Sequence, residues 1–147
     1  MSHVVVRLGG GRFALAMDAV AEVGRAPHVT RVPGTPAWVE GVANWRGRIL
    51  GVLDLRSLLG LPDGDAAHGR LVVLARGGSA VGLLAERVDG VLDVDPAALE
   101  PALLTLGAEA GALLEGQLTD DNGPVGVLDA AAVFALRHRV GVARRAG

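Results

Sequence analysis

The chain of 147 residues has no cysteine, and aromatic side chains make up only 3% of it. All 14 of its basic residues are arginine, so lysine is absent too. Without thiols there is no disulfide, no thiolate metal ligand and no cysteine nucleophile, and the compartment is left open. Without lysine there is no P-loop lysine, no Schiff base and no lysine general base, which removes several enzyme classes. The scarcity of aromatics leaves Val, Leu, Ile and Ala to fill the core, a set that suits sheets and short helices. A net charge of −2 supplies no long-range field for nucleic acid or an anionic membrane. No apolar run approaches the ~20 residues that span a bilayer. The N-terminus enters Val4-Val5-Val6 without a basic-then-apolar leader, so a cytoplasmic soluble protein is the expectation. The length suits one domain that buries its core without disulfides or metal.

The residues that carry chemistry are scattered. His3, His28, His68 and His138 lack ligand spacing and read as solvated loop and tail residues, so no metal site is expected. Ser2, Ser57 and Ser79 lie outside any Gly-x-Ser-x-Gly elbow, and no catalytic residue or cofactor is assigned. Gly9-Gly10-Gly11 precedes the strand-like Phe13-Ala14-Leu15, not a helix, and so fails the context of a phosphate cradle. Asp120-Asp121-Asn122-Gly123 lacks the EF-hand ligand pattern, and its Asn-Gly is a hairpin signal. Asp54 and Asp129 end matching apolar strands, where a carboxylate is best explained as a cap for the segment that follows. Arg137, His138, Arg139, Arg144 and Arg145 form a basic tail expected to fray.

What the chain does contain is a doubled pattern. Val4 to Leu15 lies in register with Val72 to Leu83, strand on strand and glycine turn on glycine turn, and both read as β-hairpins. Asp18, Val20 and Val23 fall opposite Glu86, Val88 and Val91. Glu40-Gly41 precedes Gly51-Val52-Leu53-Asp54 by the interval at which Glu115-Gly116 precedes Gly126-Val127-Leu128-Asp129. Each Gly-Val-Leu-Asp is followed by a helix-like patch, Leu55 to Leu59 in one case and Ala130 to Leu136 in the other. Two repeats, roughly 4–60 and 72–136, suggest two similar small β-barrels or sheets within a single domain, sharing a hydrophobic interface. Leu61 to Gly69 reads as the loop between them, and Pro96 to Ala112 as an irregular segment with a helical turn.

The most informative stretch is Asn44 to Arg56. Gly47 permits a tight turn, and Ile49 to Leu55 has the apolar, β-leaning character of a strand buried on both faces. Arg46 and Arg48 flank the turn. A guanidinium held there is a rigid fork of donors that suits a partner's carboxylates or carbonyls. The competing reading, favoured by composition alone, is that Arg46 pins the turn to a nearby acid such as Glu40 or Asp54.

Phe13-Ala14-Leu15 through Val20-Ala21-Glu22-Val23, Val32-Pro33-Gly34-Thr35-Pro36-Ala37-Trp38-Val39-Glu40-Gly41-Val42, and Asn44-Trp45-Arg46-Gly47 running into Asp54-Leu55-Arg56 together resemble the CheW family of chemotaxis coupling proteins. The similarity continues through Gly82-Leu83-Leu84 and Val88 to Gly126-Val127-Leu128-Asp129. The resemblance implies an all-β fold with short helices, in which two SH3-like five-stranded β-barrels pack together. It also implies a non-enzymatic adaptor that couples the cytoplasmic tip of a methyl-accepting chemoreceptor to the regulatory domain of a CheA-type histidine kinase. Such a protein would be cytoplasmic, recruited to receptor clusters, with no nucleic-acid partner and no membrane insertion. Carried over by position, Val42, Arg46 and Ile49 would meet the receptor, and Val20, Glu22 and Gly41 would serve kinase binding and coupling. Gly51 stands where many relatives have proline, and Trp45 where leucine is usual. These departures keep in view an accessory member of the family that binds receptors without activating a kinase. A small-ligand-binding β-barrel is the alternative from another class.

Overall fold

Glycine-bearing turns and apolar strands divide the chain at the expected places. The computed structural model describes residues 1–62, 69–102 and 111–140. Its strands are β1 (Ser2–Leu8), β2 (Gly11–Ala16), β3 (Val20–Arg25), β4 (Val39–Trp45), β5 (Arg48–Leu53), β6 (Arg70–Arg76), β7 (Ser79–Ala85), β8 (Arg87–Asp93), β9 (Leu114–Asp120) and β10 (Gly123–Leu128). A short α-helix, α1 (Ala130–Ala135), and 3-10 turns at Met17–Ala19 and Pro96–Ala98 accompany them. Among the described residues no helix is long and apolar enough to cross a membrane.

The strands form two five-stranded sheets, ordered β8-β1-β2-β10-β9 and β3-β6-β7-β5-β4. Each sheet takes its central hairpin from one half of the chain and its other three strands from the other half. The joints are two short parallel pairings, Phe13 with Gly126 and Ala14 with Val127 in one sheet, Val52 with Gly82 and Leu53 with Leu83 in the other. The strand ladders leave both sheets open, and in each the segment that follows one edge strand bridges by backbone hydrogen bonds to the other, Thr30 to Val42 of β4 and Glu100 to Gln117 of β9.

Burial explains why the sheets stay together. Leu8, Leu15, Leu53, Leu74, Leu83, Leu128 and Phe134 belong to one shared core between the sheets and α1. Each sheet also encloses a smaller core of its own: Leu50, Val52, Leu71 and Val73 in one, Ala14, Val125 and Val127 in the other. Burying one Leu or Val contributes about 1.5–3 kcal/mol, so the shared layer binds the halves into one body.

The helix-like patch at Leu55 to Leu59 is a single turn, closed by Leu59 N–H donating to the Leu55 carbonyl at 2.9 Å and ended by Gly60 at φ +70°. Asp129 caps α1 by accepting from Ala132 N–H at 3.2 Å. Asp54 accepts from Arg56 N–H at 3.1 Å and holds the Arg56 guanidinium as well.

Three expectations are corrected. His3 is not solvated; it lies within β1 at 3% exposure, its Nδ1 3.1 Å from the Met1 carbonyl. Ile49 is not covered on both faces, because its position at the outer end of β5 leaves it 62% exposed, and burial begins at Leu50. The basic tail does not fray at its start: the Arg137 guanidinium lies 4.1 Å from the Phe134 ring centre, Arg139 lies 5.8 Å from that of Trp38, and Val140 is buried. His68, Arg144, Arg145, most of the loop 61–69 and part of 96–112 fall outside the described residues.

Candidate functional site

The β4–β5 hairpin turns on two residues, Arg46 and Gly47, both with positive φ, +52° and +78°. That geometry matches the twist of the flanking strands, and it costs a residue with a Cβ about 1–2 kcal/mol. Gly47 N–H donates to Asn44 Oδ1 at 3.0 Å and steadies the turn. The strained position aims the Arg46 side chain across to β3. Its Nε donates to Glu22 Oε2 at 2.9 Å, and its Nη2 donates to Oε1 to complete a bidentate pair. The turn is thus pinned by an acid, which is Glu22 and neither Glu40 nor Asp54. The hydrogen bonds from Arg46 hold the Glu22 carboxyl below its ordinary range, and Glu22 in turn raises Arg46.

Strands β3 and β4 are opposite edges of their sheet, and this corner closes it. Trp45 lies over Gly24, where an added Cβ would stand 2.9 Å from the ring. The Arg46 guanidinium sits 5.9 Å from the centre of the same ring. Glycine at position 24 is therefore what lets the tryptophan close the corner.

Val42 and Ile49 come together on the outside of this sheet. With Pro27, His28, Thr30, Ala43 and Asn44 they line an open groove of about 370 Å³. The segment leaving β3 forms one wall, held to β4 by paired hydrogen bonds between Thr30 and Val42 of 2.8 and 2.9 Å. Arg46 is not part of the lining; it sits on the adjoining turn and faces Glu22. Val20 begins β3 and is half-buried against the shared core. Gly41 is buried with φ +148°, and an added Cβ would come within 2.0 Å of the Thr30 carbonyl oxygen. The six residues singled out by position therefore divide in a new way: Val42 and Ile49 share a groove, Arg46 and Glu22 share an ion pair, Val20 supports the core, and Gly41 admits a crossing backbone.

Sequence reasoning missed the wall at Pro27, His28 and Thr30, the Trp45–Gly24 contact, and the filling of Gly51 by Val140, whose Cγ1 would lie 3.2 Å from an added Cβ. None of these leaves a local pattern, since each joins segments distant along the chain. A smaller hollow of about 220 Å³ between β6 and α1 includes Asp18, Leu74, Arg76 and Phe134 in its lining. Among the described residues no three His, Asp or Glu side chains gather in a way that could hold a metal ion.

The family model of the CheW-like domain matches residues 2–138. The chain is 27% identical over 132 residues to the chemotaxis protein CheW of Bacillus subtilis, covering 89% of this chain and 85% of that protein. It is 37% identical over 109 residues to the protein FrzA of Myxococcus xanthus, covering 72% and 66% of the two chains. A shorter match, 46% identical over 59 residues, covers 40% of this chain and 33% of the protein PilI of Pseudomonas aeruginosa. The crystal structure of the scaffolding protein TtCheW from Thermoanaerobacter tengcongensis superimposes with a TM-score of 0.74 at 26% identity, over 87% of this chain and 88% of that one. Family model, relatives and superposition agree: the chain belongs to the CheW-like domain family.

Proposed function

We propose that this protein is a non-enzymatic adaptor that couples the cytoplasmic tip of a methyl-accepting chemoreceptor to the regulatory domain of a CheA-type histidine kinase. The observation that carries the reading is Ile49, 62% exposed beside Val42 in an open groove. A large aliphatic side chain left in solvent at the rim of an apolar groove is suited to a helix that lays an apolar stripe there. Val42 and Ile49 supply contact area, and Arg46 supplies a charge-assisted anchor at the groove's end. Val20, Glu22 and Gly41 are the kinase-binding and coupling positions in this reading. Because Glu22 holds Arg46, the two assigned faces share one ion pair. The adaptor works in the cytoplasm, drawn to receptor clusters by these contacts.

The test is co-sedimentation with a receptor cytoplasmic fragment. Arg46→Glu should abolish it with an unchanged circular-dichroism spectrum; undiminished binding rejects the assigned face. Since that variant also sets two carboxylates against each other, Glu22→Arg/Arg46→Glu is the companion. Binding still absent in the swapped pair means that the partner reads the charge at position 46, and restored binding means that Arg46 acts by holding the corner.

A reconstituted kinase assay decides the second reading, an accessory member that binds receptors without stimulating the kinase. Trp45 favours that reading, since its ring lies over Gly24 next to Glu22 and reshapes the coupling corner. Receptor binding without stimulation would establish it.

A further inference from the structure

Among the described residues five arginines meet a carboxylate. Arg7 and Arg87 share Asp89, Arg12 holds Asp120, Arg46 holds Glu22 and Arg56 holds Asp54. Arg25 and Arg70 do not, and what sets them apart from the other arginines without a carboxylate is their register. They face each other directly across β3 and β6, both are exposed, and among the described residues neither meets a carboxylate. Ala26 N–H donates to the Gly69 carbonyl at 3.2 Å, so that neighbouring pair is the hydrogen-bonded one. The Arg25/Arg70 pair is then of the closely spaced kind, with Cα atoms about 4.5 Å apart and side chains on one face. Like charges placed this way repel, which folding alone gives no reason to keep.

The pair borders the groove. Arg25 is two residues from Pro27 of the groove wall, at most about 7 Å along the chain. Its neighbour Gly24 lies under Trp45, whose own neighbour Asn44 lines the same groove. Arg31, next to Thr30 of the wall, is likewise exposed and meets no carboxylate among the described residues. The one acid on β3, Glu22, is already taken by Arg46.

From this juxtaposition we infer that the groove takes an acidic amphipathic helix, whose apolar row packs on Val42 and Ile49 and whose flanking carboxylates lie between Arg25 and Arg70. The inference rests on the receptor-docking reading of the groove and specifies the chemistry of the helix. Carboxylates bound there would relieve the repulsion within the pair, so attraction and relief act in the same direction. The Arg25/Arg70 pair also sets orientation, because a helix with its acids on the other flank meets Arg46 beside the carboxylate of Glu22, whose charge offsets the attraction.

The experiment uses the full chain and two labelled helical peptides of about 18 residues, or ~27 Å. They have identical leucine rows, with flanking glutamates in one and flanking lysines in the other. Anisotropy at low salt should show the glutamate peptide binding about five- to tenfold tighter, as two partly exposed ion pairs allow, with the preference fading as salt rises. Arg25→Ser/Arg70→Ser should remove the preference, and Ile49→Ser should weaken both peptides. Equal binding of the two peptides, no binding of either, or a preference that survives Arg25→Ser/Arg70→Ser would overturn the inference. Co-sedimentation with the receptor fragment separates the two readings. Failure there with the peptide preference intact removes the receptor reading and leaves this one, and success there without the preference does the reverse.

Discussion

Val140 occupies the space that Gly51 leaves on the outer face of β5: a Cβ built on Gly51 would stand 3.2 Å from Val140 Cγ1, and Val140 itself is 3% exposed. The contact fastens the end of the second half of the chain to a strand of the first. Truncating Val140 to alanine removes buried methyls from the shared core and should destabilise the protein by about 2 kcal/mol. Gly51→Ala should also destabilise, by crowding the valine. Combined, the two should cost less than their sum, since the smaller side chain makes room for the new methyl. Urea denaturation of the three variants checks this, and strict additivity would mean that the contact does not exist.

Arg12 grips Asp120 through two hydrogen bonds of 2.7 and 2.8 Å, at the corner where β2 approaches β9. The guanidinium, with help from Asn122 N–H, holds the Asp120 carboxyl down to about 2. A carboxylate depressed by folding contributes stability that is full above its unfolded pKa, near ~3.9, and is lost as pH falls through the folded value. Wild type should therefore lose stability between about pH 4 and pH 2 more steeply than Asp120→Asn. Thermal melts across that window are the measurement, and parallel curves would refute it.

Gly41 and Gly90 make a controlled comparison. Both have positive φ, +148° and +127°, but a Cβ at Gly41 would meet the Thr30 carbonyl oxygen at 2.0 Å, whereas among the described residues beyond its chain neighbours nothing lies within 4 Å of one at Gly90. Gly90→Ala should cost about 1 kcal/mol from backbone strain, and Gly41→Ala about 3 kcal/mol or more, because the crossing segment must move. Loss of partner binding in a Gly41 variant then reads as damage to the groove wall unless its stability is measured alongside.

The opposed guanidiniums of Arg25 and Arg70 act on stability as well as on recognition. Arg70→Ser should raise the melting temperature by ~1–3 °C at low ionic strength, the scale expected from relieving one like-charge pair. The gain should disappear in high salt. A melting temperature that falls, or a gain insensitive to salt, would contradict the placement.

Much of the fold was legible because its signals are local. Gly9-Gly10 and Gly77-Gly78 announce two hairpins, and both pairs have the positive φ that such turns require. Arg46-Gly47 announces a third, and Asp129 behaves as the cap its position before α1 implies. What could not be read involves residues far apart in the chain. That Ala14 pairs with Val127 while Gly82 pairs with Val52 follows from how the two halves pack, and no window of sequence contains it. The same holds for Glu22 as the partner of Arg46. An apolar strand predicts a covered Ile49, and only its place at the strand's outer end exposes it. Histidines scattered without ligand spacing read as solvated, yet His3 lies in a strand with neighbours on both sides.

The crossing of hairpins between the halves has a consequence for how the chain comes apart. A cut anywhere between Pro62 and Gly69 yields two fragments, neither of which holds a complete sheet, so each alone should stay unstructured. Mixed together they should reconstitute the native body at a rate set by their concentration, and two inactive polypeptides become a reporter of their own encounter.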